Sequence, residues 1–306
     1  MKQSPKGYNL ALTNDFIFRS IFGVEKNSDI LLSLVNAVFE SKGLKPVVAI
    51  HPSNPFLPVD YIQQKEGILD VRAIDSSGVQ YDLEIQVRSQ NNYIKRSLFY
   101  LSRMYGGQLN RGAEYEHLDP CIAINILDFE LFMEDTNFHH FYSFREYDNP
   151  ELELSRDLTI HFLELPKLMK ILATAHDGKD SPLKMVEKWL YLMKEIDNPE
   201  DTMVQEILST TPALEKVQSE YVEFMTDVAL RAEALSHEMW LHDQASHKAE
   251  ARREGLAEGK AEGKAEGKVE GYKEMAKKMW DNGFEIVVIS KITGLSQEEI
   301  ENLTKK

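Results

Sequence analysis

Ile68-Leu-Asp-Val-Arg-Ala-Ile-Asp-Ser-Ser-Gly-Val-Gln-Tyr-Asp-Leu-Glu-Ile-Gln-Val-Arg88 is the stretch whose reading decides the fold. Two runs with alternating apolar residues, Ile68 to Ile74 and Val79 to Val87, flank Asp75-Ser-Ser-Gly78, which has the composition of a tight turn. The spacing predicts a β-hairpin. Period two then puts Asp82, Glu84, Gln86 and Arg88 on one face and Tyr81, Leu83, Ile85 and Val87 on the other, the latter expected to face the core. Across the hairpin, Asp70 reaches the polar face beside Glu84. Carboxylates gathered on one sheet face repel each other, and a hard divalent cation between them relieves that repulsion, which is how magnesium is usually held. Spacing alone also fits a solvated antiparallel hairpin whose outward positions are acidic, a common feature of a negatively charged protein.

Asp70 followed by Glu84-Ile-Gln86 resembles the Asp...Glu-x-Lys core of the PD-(D/E)XK nuclease superfamily, in the variant where glutamine replaces lysine. More closely, the chain resembles the recombination-promoting nuclease (Rpn) family, the PD-(D/E)XK nuclease family transposases. Three more segments carry the resemblance in the expected order: Thr13-Asn-Asp-Phe-Ile-Phe-Arg-Ser-Ile-Phe-Gly23, Tyr93-Ile-Lys-Arg-Ser-Leu-Phe-Tyr-Leu-Ser-Arg-Met-Tyr105 and Tyr115-Glu-His-Leu-Asp-Pro-Cys-Ile-Ala-Ile-Asn-Ile-Leu-Asp-Phe129. Gly-Lys-Ala-Glu repeats near the C-terminus are also familiar from such proteins.

The resemblance implies an α/β fold: a PD-(D/E)XK restriction-endonuclease-like core, with a mixed sheet flanked by helices, followed by an all-helical C-terminal region. It implies a magnesium-dependent endodeoxyribonuclease acting in recombination or transposition. Asp70 and Glu84 would be metal ligands, the Ile85 backbone carbonyl a third, and Mg2+ or Mn2+ the ion. Gln86 would stand where lysine orients the attacking water. An amide offers donors and an acceptor but no charge, so the metal would carry the electrostatic work. Asp15, in the first predicted helix, would be an extra acidic residue near the metal. Its plain reading stays open, because with Thr13 or Asn14 as N-cap Asp15 simply complements the positive helix end. The rival readings are a catalytically weak, nuclease-derived protein acting through partner binding or oligomerisation by its helical C-terminal region, and a structural oligomer with a solvated hairpin.

A net charge of −15 opposes binding to a polyanion, which depends on phosphate neutralisation by Lys and Arg. The distribution answers that objection. No acidic residue lies between Gln86 and Arg111, whereas Arg88, Lys95, Arg96, Arg103 and Arg111 are basic. On the helix expected there, Tyr93, Arg96, Tyr100 and Arg103 form one stripe, and Ile94, Leu98, Leu101 and Tyr105 another, predicted to lie on the sheet. Arginine alternating with tyrosine suits phosphate contact and stacking, so Arg88, Tyr93, Arg96, Tyr100 and Arg103 are the candidate DNA contacts. A merely soluble outer face remains the alternative.

With 306 residues, 42% of them hydrophobic, the chain can bury a full core. It has no apolar run of membrane-spanning length, and its start lacks the apolar core of a signal peptide, so a cytoplasmic protein with no membrane partner is expected. The single cysteine, Cys121, sits in an apolar run and reads as buried. The histidines show no ligand spacing, and no zinc site is expected.

Three regions follow: 1–165 as the nuclease-like domain, 166–251 as a helical region, and 252–306 as a repeat helix or linker plus a small helical unit. Residues 14–40 read as helical, Pro46 to Ile50 as a short strand, Pro52, Pro55 and Pro58 as a loop, and Pro212 to about Ala251 as one long helix. Residues 254–271 repeat Glu-Gly-x-Ala, with x mostly Lys, and place glycine at 255, 259, 263, 267 and 271. Like charges at i,i+4 and glycine costs of roughly 0.8 to 1 kcal/mol each make an isolated helix marginal. Two alternatives remain here, a helix that pairs with a second copy to give a homo-oligomer, and an extended spacer. Beyond it, two short helices around Gly294 have the outline of a helix-turn-helix. Glu298, Glu299 and Glu301 lie where phosphate contacts would be needed, so a packing or oligomerisation unit is the expectation.

Overall fold

A computed structural model of the chain describes residues 10–53, 70–109, 114–175 and 182–304. Ile68, Leu69, Pro55, Pro58 and Arg111, named above, lie outside the described residues. The predicted hairpin is present as β2 (Val71–Asp75) and β3 (Gln80–Gln86), antiparallel, with Arg72 opposite Asp82. Its turn is built by Asp75, whose Oδ1 accepts from the N–H groups of Ser77 at 2.8 Å and Val79 at 3.1 Å. Gly78 has φ +94°, the left-handed region that favours glycine, and a Cβ there would lie 2.8 Å from the Asp119 carboxyl group, which would have to move aside.

β3 pairs on its other edge with β4 (Cys121–Leu127) in parallel, and β4 pairs in parallel with β6 (Glu153–Glu164). β1 (Ile50–Ser53) and β5 (His139–Arg145) add antiparallel edges, giving the order β1-β2-β3-β4-β6-β5. This is a mixed sheet flanked by helices, as expected. Central strands of such a sheet are covered on both sides. The hairpin's polar face is accordingly not a solvated one: every residue of β3 from Gln80 to Ile85 is buried.

One face carries α1 (Asp15–Phe22), α2 (Ser28–Glu40) and α5 (Met185–Glu195), where Ile17, Phe22, Leu31, Leu34 and Trp189 meet Tyr81, Leu83, Ile85, Ile124 and Ile126. The other carries α3 (Tyr93–Gly106), whose Tyr93, Leu101 and Met104 meet Ala123, Leu127, Ile160 and Phe162. α4 (Leu165–Ala175), α6 (Thr202–Thr210) and α7 (Pro212–Thr226) complete this part, and Val204, Ile207, Leu214, Val217 and Tyr221 join the core of α1 and α2.

Three boundaries differ from the sequence reading for local reasons. The helical stretch 14–40 breaks at Gly23, whose N–H closes α1 on the Arg19 carbonyl and where a Cβ would lie 2.6 Å from that oxygen. The strand foreseen from Pro46 starts only at Ile50, because Val47 is held on both backbone groups by the Asn36 side chain, at 2.7 and 2.9 Å. The long helix from Pro212 is interrupted at Asp227, whose carboxylate caps the next helix by accepting from Ala229 at 2.8 Å and Leu230 at 3.0 Å.

That helix, α8 (Val228–Asp281), runs on through all the repeats for 54 residues. The chain divides into two units, Met1–Met239 and Trp240–Lys306. In the second, α9 (Ile286–Thr293) and α10 (Gln297–Thr304) enclose a small core of Ala276, Ile289, Leu295 and Ile300. Gly294, at φ +74°, ends α9, and the Ser296–Glu299 capping box starts α10. Among the described residues no helix is long and apolar enough to cross a membrane.

Candidate active site

The register that sets Arg72 opposite Asp82 places Asp70 opposite Glu84 when continued by two residues. The structure brings Asp70, just before β2, alongside Glu84 of β3, and Asp70 Oδ2 is oriented by the Ile85 N–H at 2.8 Å. Glu84 is only 3% exposed. Its Oε2 pairs with Arg96 Nη2 at 3.3 Å, while its Oε1 is buried without a hydrogen-bond partner. Asp82, on the same face and 2% exposed, likewise has a buried, unpartnered Oδ1. Sequence reasoning placed Asp82 on this face but gave it no role; its signal was the two-residue spacing from Glu84.

Burial, with the neighbouring charge of Glu84 second, pushes the Asp70 carboxyl well above the ordinary range. Asp82 is raised by burial and then by Asp70, and Glu84 by burial and then by Asp82. Three buried acids, each raised by burial and by a neighbouring carboxylate, favour their protonated forms where no cation offsets the charge. Among the described residues no three His, Cys, Asp or Glu side chains converge into a ready-made metal cage. The buried, unpartnered oxygens of Glu84 and Asp82 nevertheless fit a hard divalent ion, which is commonly held by one or two carboxylates with water and substrate phosphate completing its shell.

α3 covers this face through a polar contact that hydrophobic periodicity could not reveal. Tyr93 Oη donates to Asn125 Oδ1 at 2.9 Å, Ser97 Oγ donates to the same oxygen, and Asn125 Nδ2 donates to the His161 carbonyl at 3.1 Å. The buried stripe is therefore Tyr93, Ser97, Leu101 and Met104, and Ile94 and Leu98 are exposed, which corrects the predicted stripes. Tyr93, foreseen at the DNA surface, faces the sheet. Arg96 is turned to the site, its Nη1 donating to Gln86 Oε1 at 3.4 Å, with the guanidinium 5.4 Å from the Tyr100 ring centre. Arg88 pairs with Glu238 at 3.5 Å, and Arg103 lies in the last turn of α3.

Asn14 caps α1, accepting from Phe16 and Ile17 N–H groups at 3.1 Å each. Asp15 pairs with His237 at 3.0 Å and lies close enough to Asp70 for its charge to raise that carboxyl. Both readings of Asp15 thus have a physical basis, a first-turn acid and an extra charge at the site.

The class of protein follows from two family comparisons made on this mixed sheet and the helices around and after it, which together describe a nuclease-like protein that acts on DNA. Residues 12–251 match the family model described as PD-(D/E)XK nuclease family transposase, and the chain belongs to that family. Residues 270–305 match the Rpn/YhgA-like nuclease family, C-terminal HTH domain. This second match corrects the expectation of a mere packing unit: α9 and α10 belong to a helix-turn-helix domain. The acid at Glu299 has a local cause, since its carboxylate accepts from Ser296 N–H at 2.8 Å in the capping box. Neither the curated proteins nor the solved structures gave a match.

Proposed function

We propose that the protein is a divalent-metal-dependent endodeoxyribonuclease of the cytoplasm that hydrolyses DNA phosphodiesters in recombination or transposition. The observation that carries this reading is the unpartnered, buried Glu84 Oε1 on the strand beside Asp70. Asp70, Glu84 and the Ile85 carbonyl would hold Mg2+ or Mn2+, with Asp15 adding negative charge nearby. When bound, such an ion supplies Lewis acidity toward phosphate and lowers the pKa of water. Gln86 positions the attacking water by its amide. Arg88, Arg96, Tyr100 and Arg103 are the groups for the DNA backbone, where they set position without reading sequence. The helix-turn-helix domain adds a second DNA contact, and α8 joins two copies into a homo-oligomer.

Plasmid nicking tests the reading. Full-length protein with magnesium or manganese is expected to nick supercoiled DNA, and D70A and E84A to lose at least about 100-fold of that rate, the scale seen when a key electrostatic group is removed. Unchanged nicking by both variants overturns the site. Absence of nicking by the unmodified protein, together with DNA binding, supports the weakly catalytic, partner-binding alternative instead.

A further inference from the structure

Glutamine at position 86 leaves the motif one positive charge short. An ammonium stabilises negative charge that builds on phosphate oxygens, whereas a carboxamide contributes only donors and an acceptor. A cation that reaches Gln86 comes from another element. Arg96, in the first turn of α3, reaches Gln86 Oε1 with Nη1 at 3.4 Å and Glu84 Oε2 with Nη2 at 3.3 Å. Its side chain is 30% exposed, at the rim between core and solvent, and the Tyr100 ring lies beside it. Its position is not accidental to the fold, because Tyr93 and Ser97, on either side of it along the helix, are bonded to Asn125 of β4.

The bond to Oε1 has a second effect. With the amide oxygen engaged by the guanidinium, the NH2 group is the end of Gln86 left for a water or a phosphate oxygen. Gln86 then presents only donors, as a lysine does. Charge-assisted bonding also polarises the amide and strengthens those donors.

We infer that Arg96 supplies the positive charge that Gln86 lacks, so that the Gln86–Arg96 pair together performs the task of the single lysine in the ordinary motif. This rests on the reading of Asp70 and Glu84 as the metal site. Arg96 is thereby a positioning residue for Gln86 and a fixed charge beside Glu84, beyond any contact it makes with the DNA backbone.

The test uses full-length R96Q, Q86K, R96K and the R96Q/Q86K double variant, with single-turnover plasmid cleavage over a range of DNA concentrations and calorimetric titration with Mn2+. R96Q is expected to lose at least about 100-fold in maximal rate, with half-saturating DNA shifted by less than about threefold. R96K is expected to fold and retain part of the rate, and Q86K in the R96Q background to restore at least about tenfold, the step that 1.4 kcal/mol represents. Mn2+ is expected to bind R96Q more tightly than the parent protein, because a cation no longer competes for Glu84. A rise in half-saturating DNA alone, no rescue by Q86K, or unchanged or weaker Mn2+ binding to R96Q overturns the inference. If the parent protein binds Mn2+ but cuts nothing, the titration decides: tighter binding to R96Q supports the charge placement, and unchanged or weaker binding overturns it. If the parent neither binds Mn2+ nor cuts DNA, the nuclease reading itself falls and takes the inference with it.

Discussion

Asp82 stands two residues before Glu84 on the same face of β3; burial raises the proton affinity of both acids, with the charge of Asp70 adding to it at Asp82 and that of Asp82 at Glu84. In the unfolded chain both ionise in the ordinary carboxylate range. The folded, metal-free protein therefore holds more protons than the unfolded one as pH rises above that range, and linkage makes stability fall across the interval. His139 and His161, 3.0 Å apart, behave oppositely: burial pushes them down to about 2 and about 3, so their stabilisation is complete above the ordinary histidine range and is lost as pH falls. The carboxylates thus dominate from about pH 6.5 to 8. Calorimetric melting in a chelator is expected to show Tm falling over that interval, Mn2+ to reverse the fall, and D82N to flatten it. A Tm that is constant or rises in the chelated parent protein contradicts this account. The placing of Asp70 beside Glu84 was legible from strand alternation across the hairpin. The Arg96–Gln86 bond was not, because it joins a strand to a helix by side chains whose reach no local period encodes.

At the scale of elements, α3 shows where hydrophobic patterning stops being informative. Its inward face is chosen by hydroxyls that meet Asn125, and exposed Ile94 and Leu98 are left on the outside. Buried polar groups are costly when unpaired, so the two hydroxyl bonds outweigh the apolar rows in setting the helix rotation. N125A removes partners from Tyr93, Ser97 and the His161 carbonyl at once. It is expected to destabilise the first unit by about 3 kcal/mol, from unsatisfied groups costing roughly 1 to 3 kcal/mol each, measured as a lower urea midpoint. An unchanged midpoint would place the docking energy of α3 elsewhere. The hairpin itself was legible in sequence because strand period, turn composition and charge all agreed. β1 was misplaced because the Asn36 side chain takes the backbone groups of Val47 that a ladder would have used.

On the scale of the molecule, α8 is the element whose sequence and structure are most in tension. Its five repeat glycines have open space where a Cβ would stand, and the residues from Ala249 to Gly271 are exposed. Five glycines forgo roughly 4 to 5 kcal/mol of helix propensity relative to alanine, and like charges recur at i,i+4. A continuous helix there gains most from a second copy, with glutamate rows set against lysine rows. Sedimentation of the full chain is expected to show association in the micromolar range that weakens with salt, and circular dichroism to lose helicity on dilution. A monomer with concentration-independent helicity contradicts self-association. The sequence showed the period but not the continuity, since propensity alone favours a break. The helix-turn-helix outline was legible from Gly294 and the capping box, while its acidic second helix argued against the family assignment that the comparison supplies.

Anomalous scattering from crystals of the full chain in manganese tests most directly whether Asp70 and Glu84 form a divalent-ion site. A peak within ligand distance of both carboxylates, lost in E84A, is the predicted result. A peak that persists in E84A, or manganese bound only elsewhere in the chain, contradicts it.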